Sequence, residues 1–127
     1  KILLPKKRKN DTLYSWKLSK RYDQDISTLS LAAKVTKDKK DSLENIILSA
    51  GGVGPTPLIL HQTGKLLRNT NLSFNQRALQ TAINHDISPI SDLRGTARYR
   101  STAMVGLIKK MQRSLISGEE QHSIMSI

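Results

Sequence analysis

The stretch ISTLSLAAKV, residues 26–35, decides how this chain folds. Leu29, Leu31, Ala33 and Val35 recur at every second position. That is the period of a strand with one dry face, because successive side chains of a strand point to opposite sides. Ile26 is out of phase with them, which predicts a bulge or bend near Ser27. Upstream, Tyr14, Trp16 and Leu18 alternate with Ser15, Lys17 and Ser19 in a strand expected over 12–21, and Asp23-Gln24-Asp25 breaks the pattern. Downstream, KDKKD (37–41) reads as a charged hairpin tip, 43–50 as a third strand, and Gly51-Gly52-Val53-Gly54-Pro55 as its end.

The period then changes. Thr56 before Pro57 has the form of an N-cap and first helical position, predicting a helix through about Leu67. SFNQ (73–76) has the form of a capping box, opening a helix with Ala78, Leu79, Ala82 and Ile83 on one face. Thr96 caps a long third helix, whose stripe Met104, Leu107, Ile108, Met111 and Leu115 follows the amphipathic period. Residues 117–127 carry no periodicity and are expected to fray, leaving one domain over 1–116. Three or four strands followed by three helices indicate the α+β class: a small antiparallel sheet with the helices packed on one face.

Composition narrows the chemistry. The 127 residues include no cysteine, which excludes disulfides, thiolate metal sites and cysteine nucleophiles. His61, His85 and His122 stand far apart without ligand-like spacing, so no metal site is expected, and no local motif joins a serine to a histidine and a carboxylate. No apolar run approaches the roughly 18 residues of a membrane span. KILLPKKRK (1–9) lacks the long apolar stretch of a secretory signal, so the expectation is a cytoplasmic protein. The net charge is +11, and residues 1–40 hold twelve Lys/Arg against four Asp/Glu. Such asymmetry points to an anionic partner: nucleic acid, an acidic protein or a phosphate-bearing cofactor.

Four segments invite a functional reading. SAGGVGPTP (49–57) is glycine-rich but lacks phosphate-loop spacing, and reads best as a tight turn. PKKRK (5–9) is a basic patch with no interleaved aromatic to stack bases, as a solvated loop tip would also be. In KLSKRYDQDI (17–26), Lys17, Lys20 and Arg21 sit near Asp23 and Asp25, either as a surface salt-bridge ladder or as an anion-binding edge. SPISDLRGTARYR (88–100) reads as a joint in which Pro89 and Gly95 shape the turn and Asp92 pairs with Arg94 or Arg98. The alternative there is contact with a neighbouring subunit; neither reading is catalytic.

Three segments in this order resemble one family. WKLSKRYDQDIS (16–27), ILSAGGVGPTPLIL (47–60) and ISPISDLRGTARYRSTAMVGLI (87–108) are similar to the C-terminal domain of the flavoprotein component of molybdenum hydroxylases. This group comprises the xanthine dehydrogenases, aldehyde oxidases and carbon monoxide dehydrogenases. The patterns K-x-S-[RK]-R-x-x-x-D-I and P-[IV]-S-D-x-R-G-[ST]-A-x-Y-R look most like bacterial xanthine dehydrogenase, and ILLP (2–5) resembles the strand entering the domain. The resemblance implies an α+β sandwich packed against FAD-binding lobes, in an assembly with iron–sulfur and molybdopterin subunits that passes electrons from molybdenum through the clusters to FAD. It implies that Lys17, preceded by Trp16, contacts FAD, and that the domain holds no catalytic residue or metal ligand of its own. The lobes that grip the FAD pyrophosphate have no counterpart in these residues. The chain is therefore expected to be a fragment or a separately encoded piece, binding FAD poorly and catalysing nothing alone. A basic nucleic-acid-binding module is the alternative that the charge supports, and an oligomerising scaffold is a third.

Overall fold

The computed structural model describes residues 1–3, 6, 8–21 and 26–118, and the backbone of His122–Ser126. Three long strands, β1 (Asp11–Ser19), β2 (Leu29–Lys37) and β3 (Leu43–Gly51), run antiparallel with β2 in the centre. A two-residue β4 (Leu58–Ile59) pairs antiparallel with β3. The helices follow: α1 (His61–Asn69), α2 (Gln76–Asp86) and α3 (Ala97–Ser117). Gly118 closes α3 in the left-handed conformation, a backbone state that glycine adopts without a Cβ clash. Beyond it β5 (His122–Ser126) lies parallel to β1, giving the sheet order β4-β3-β2-β1-β5.

The register explains why the sheet has one dry face. Trp16, Leu31 and Ala50 form one cross-strand row, and Tyr14, Ala33 and Leu48 the next. All six side chains are buried, with Tyr14 and Trp16 stacked at 5.5 Å between ring centroids. Against them pack Leu60, Leu67, Leu79, Ile83 and the whole expected stripe of α3: Met104, Leu107, Ile108, Met111 and Leu115. The chain is thus the expected α+β sandwich, with its helices on one face. The other face carries the rows Leu13–Lys34–Ile47, Ser15–Ala32–Ser49 and Lys17–Ser30–Gly51, and no helix among the described residues covers it.

Several local expectations need correction. Ile26 and Ser27 lie outside β2, which starts at Leu29; the register shift falls at the other end, between Thr36 and Lys37. Thr56 and Pro57 cap nothing, because Leu58 and Ile59 first extend the sheet and α1 begins at His61. The uncapped start of α1 is served from a distance, by the Asp86 carboxylate accepting from the amides of Gln62 (2.9 Å) and Thr63 (2.7 Å). For α2 the N-cap is Asn75, not Ser73: its Oδ1 accepts from Ala78 N at 2.7 Å, while Gln76 Oε1 takes a bond from Lys109. Thr96 does cap α3, accepting from Tyr99 N at 3.0 Å. Ile2 and Leu3 are exposed and outside any strand; Leu4, Pro5 and Asp23-Gln24-Asp25 fall outside the described residues.

The two faces of the sheet should respond differently to truncation. Leu31→Ala on the dry face is expected to cost about 3 kcal/mol, the usual range for emptying a packed core position. Ile47→Ser on the open face, 44% exposed, is expected to cost under about 1 kcal/mol. Urea denaturation of the two variants compares them directly.

Candidate functional site

β1 ends where three connections converge on one buried guanidinium. Arg100, in the first turn of α3, is 4% exposed. Its Nη1 donates to the carbonyls of Thr28 (2.8 Å) and Gly52 (2.6 Å), and its Nη2 to Asp92 Oδ1 at 2.7 Å. One side chain therefore ties the loop before β2, the turn after β3 and the segment before α3. A planar fork with several fixed donors suits this task; a lysine ammonium would not span the three acceptors with the same geometry. Gly52 sits at φ +77°, and a Cβ there would fall 2.5 Å from Thr28 O, so only glycine lets the turn come this close.

The joint itself is a tight loop closed by Asp92. Its backbone exchanges two hydrogen bonds with Gly95, and its Oδ1 also accepts from the amides of Arg94 (2.8 Å) and Gly95 (3.2 Å). The Arg94 amide, with the Arg100 guanidinium behind it, holds the Asp92 carboxyl below its ordinary range. The partner of Asp92 is therefore Arg100, and not Arg94 or Arg98 as the sequence suggested. Nearness in the chain gave the wrong candidates. Arg100 was nonetheless findable, since it lies in helical phase with Met104, Leu107 and Ile108, where an arginine must bring its own acceptors.

The cluster fixes the end of β1 that carries Lys17. Thr28 N donates to Leu18 O at 2.8 Å, Thr28 Oγ1 to Arg94 O at 3.3 Å, and Lys20 Nζ to Leu93 O at 2.6 Å. Lys20 thus belongs to the joint rather than to an anion-binding edge, and Asp23 and Asp25 lie outside the described residues. Lys17 points the other way, to the open face, where it is half-buried. No hydrogen-bond or ion-pair partner for its ammonium occurs among the described residues. It borders a shallow concavity of about 630 Å³ whose floor is Ser15, Ser30, Ala32, Ser49 and Gly51. Small side chains on three adjacent strands make the hollow, and the hydroxyls of these three serines and of Ser27, with the Lys17 ammonium, give it polarity. Among the described residues no group of three or more His, Asp or Glu is placed to hold a metal ion. No helix there is long and apolar enough to cross a membrane.

A known family model matches residues 14–115, from within β1 into α3: the CO dehydrogenase flavoprotein C-terminal domain. The chain belongs to this family. Among solved structures it is similar to carbon monoxide dehydrogenase from Hydrogenophaga pseudoflava, at 20% identity and a TM-score of 0.72, covering 90% of this chain and 39% of that one. Reconstituted CO dehydrogenase from Oligotropha carboxidovorans matches at 26% identity and TM-score 0.66, over 85% of this chain and 37% of that one. Quinoline 2-oxidoreductase from Pseudomonas putida 86 shares the fold at 13% identity, TM-score 0.66, covering 87% and 39%. The chain spans about two fifths of the length of these relatives. A sequence search among curated proteins finds no match.

Two expectations concern the joint. Arg100→Met leaves the Thr28 and Gly52 carbonyls and the Asp92 carboxylate short of a donor, and is expected to cost about 3 kcal/mol in urea denaturation. Asp92→Asn tests the charge by pH. A carboxyl whose folded pKa is depressed stabilises the fold above its unfolded value and loses that contribution as pH falls through the folded value. The variant should therefore be less stable than the wild type at pH 7, and the gap should close below about pH 4.

Proposed function

We propose that this domain forms one wall of an FAD site in the flavoprotein subunit of a molybdenum hydroxylase, with the open face of the sheet turned toward FAD-binding lobes. The observation that carries the reading is the uncovered hollow beside Lys17, on a chain whose family takes its name from a flavoprotein. The residues fit a wall and not an enclosure. Lys17 supplies a positive charge, Ser15, Ser30 and Ser49 supply hydroxyls, and Ala32 and Gly51 leave the floor between them low. A pyrophosphate grip is the part they do not provide: the Gly51–Gly54 turn runs into Pro55 and Pro57, and a Gly52 carbonyl is committed to Arg100.

FAD, when bound, accepts electrons and passes them on. What this chain adds is an ammonium at a fixed place, stabilising an anionic cofactor or a reduced flavin. The Arg100 cluster keeps the strand end that bears it from shifting, so the charge is placed before the cofactor arrives. On this reading the described residues serve as a wall, and the reacting groups belong to the rest of the enzyme. Iron–sulfur and molybdopterin subunits are the further partners of the complete enzyme on this reading. Within the family we place the chain nearest the bacterial xanthine dehydrogenases, on the strength of the PISDLRGTARYR segment (89–100). Purine oxidation by the complete enzyme would test that placement. The nucleic-acid reading has less support, because Tyr14 and Trp16 are stacked in the core instead of offering a surface for bases.

Lys17→Ala in the complete flavoprotein subunit is the test. Loss of the charge should weaken FAD binding about tenfold, and lower the flavin midpoint potential by about 30 mV for a two-electron couple. Unchanged affinity and potential would remove Lys17 from the site.

A further inference from the structure

The excess positive charge has a second location, at the end of the sheet opposite Lys17. The basic segment near the N-terminus and the β2–β3 hairpin tip lie about thirty positions apart in the sequence, yet the fold brings them together. Asp11 pairs with Thr36 in register, and Lys37 N donates to Asn10 O at 3.2 Å. From Lys17 to Asp11 is six residues of strand, or about 20 Å, so this cluster lies well away from the hollow.

The acids nearby are largely committed. Asp11 is buried and held by Thr36 (2.7 Å), Lys34 (3.0 Å) and the Arg8 amide (3.2 Å). Asp41 pairs with Lys37 at 3.0 Å, and Asp38 Oδ1 accepts from the amides of Lys40 (2.8 Å) and Ser42 (2.9 Å). Glu44 is the remaining exposed acid of the hairpin. Arg8, Lys9, Lys39 and Lys40 are exposed, and their side chains have no hydrogen-bond or ion-pair partner among the described residues. Like charges gathered this way repel one another and weaken the fold slightly, which an anionic partner would relieve.

We propose that this basic end is a docking surface for an acidic segment of a partner polypeptide. The chemistry selects that partner over phosphate-bearing ones. The amides of the tip already bond to Asp38, so they offer no cradle for phosphate. Three of the four free cations are lysines, point charges on flexible stems and not bidentate forks. Tyr14, the aromatic among the described residues that line this end, is buried against Trp16 and offers no face to a base. The tip residues Asp38–Lys39–Lys40–Asp41–Ser42 carry no apolar side chain to enter a bilayer. Exposed cations spread over this end suit electrostatic steering of carboxylates.

The test uses the full chain and two variants of equal net charge. One is Arg8→Glu/Lys9→Glu/Lys39→Glu/Lys40→Glu. The other reverses exposed cations of the helical layer, Lys65→Glu/Arg68→Glu/Arg77→Glu/Arg98→Glu. All eight side chains are exposed, so both should keep the wild-type circular dichroism. Binding of a labelled poly-glutamate peptide of about twenty residues is followed by anisotropy at about 50 mM salt and then at higher salt. The expected result is salt-sensitive binding that falls about tenfold in the first variant and less than about threefold in the second. Equal losses would mean that net charge and not this surface binds the peptide, and would overturn the proposal, as would no binding by the wild type. Tighter binding of a short DNA duplex, or of phosphatidylserine-containing vesicles, than of the peptide would overturn it in favour of that other partner.

Discussion

Three connections depend on where the Arg100 guanidinium sits. It satisfies carbonyls of the β1–β2 loop and of the turn leaving β3, and a carboxylate in the segment that starts α3. Burying a guanidinium is costly unless its donors are matched; acceptors from three different connections take Nη1 and Nη2, and Nε has no partner among the described residues. The geometry then propagates. Gly52 must be glycine because the turn is drawn against Thr28, and Gly95 is crowded by Thr28 and Tyr99 for the same reason. The joint is a structural rivet, and the strand it secures carries Lys17 two residues from its end.

Sheet asymmetry has two axes on this account. Across its thickness, one face is dry under the helices and the other is open, floored by serines, alanine and glycine. Along its length, one end presents Lys17 beside a hollow, and the other gathers the exposed cations Arg8, Lys9, Lys39 and Lys40. The +11 charge that sequence alone could only assign to some anionic partner thus separates into two features of different character. The first suits a cofactor that needs a fixed charge. The second suits association, where long flexible side chains raise encounter rates without imposing one geometry.

Much of this was legible in the sequence, for physical reasons that can be located. Alternation at Leu29–Val35 survives because β2 is central and packed on one side only, so every second residue had to be apolar. The α3 stripe and its Thr96 cap were readable because both are local. Most of the failures are long-range. Thr56 and Pro57 form a good helix start in isolation, but pairing of Leu58 and Ile59 with Ala50 and Ser49 keeps the chain extended past them. Asp86 then caps α1 from another helix, which no local pattern reports. Ser73 and Asn75 are both competent caps, and the turn after α1 selects the later one. Lys20 was grouped with Lys17 by nearness, although its place just past β1 sends it to the joint. Residues 122–126 carried no usable pattern, yet their backbone pairs with β1.

The central claim is that the open face of the sheet is covered by flavin-bearing polypeptide in the complete subunit. Ser49 lies in the middle of that face, and the chain has no cysteine, so Ser49→Cys introduces one thiol into this domain. Its rate of alkylation, read at that position by mass spectrometry, should be fast in the isolated chain and at least about tenfold slower in the FAD-loaded subunit. Equal rates in the two states would contradict the claim.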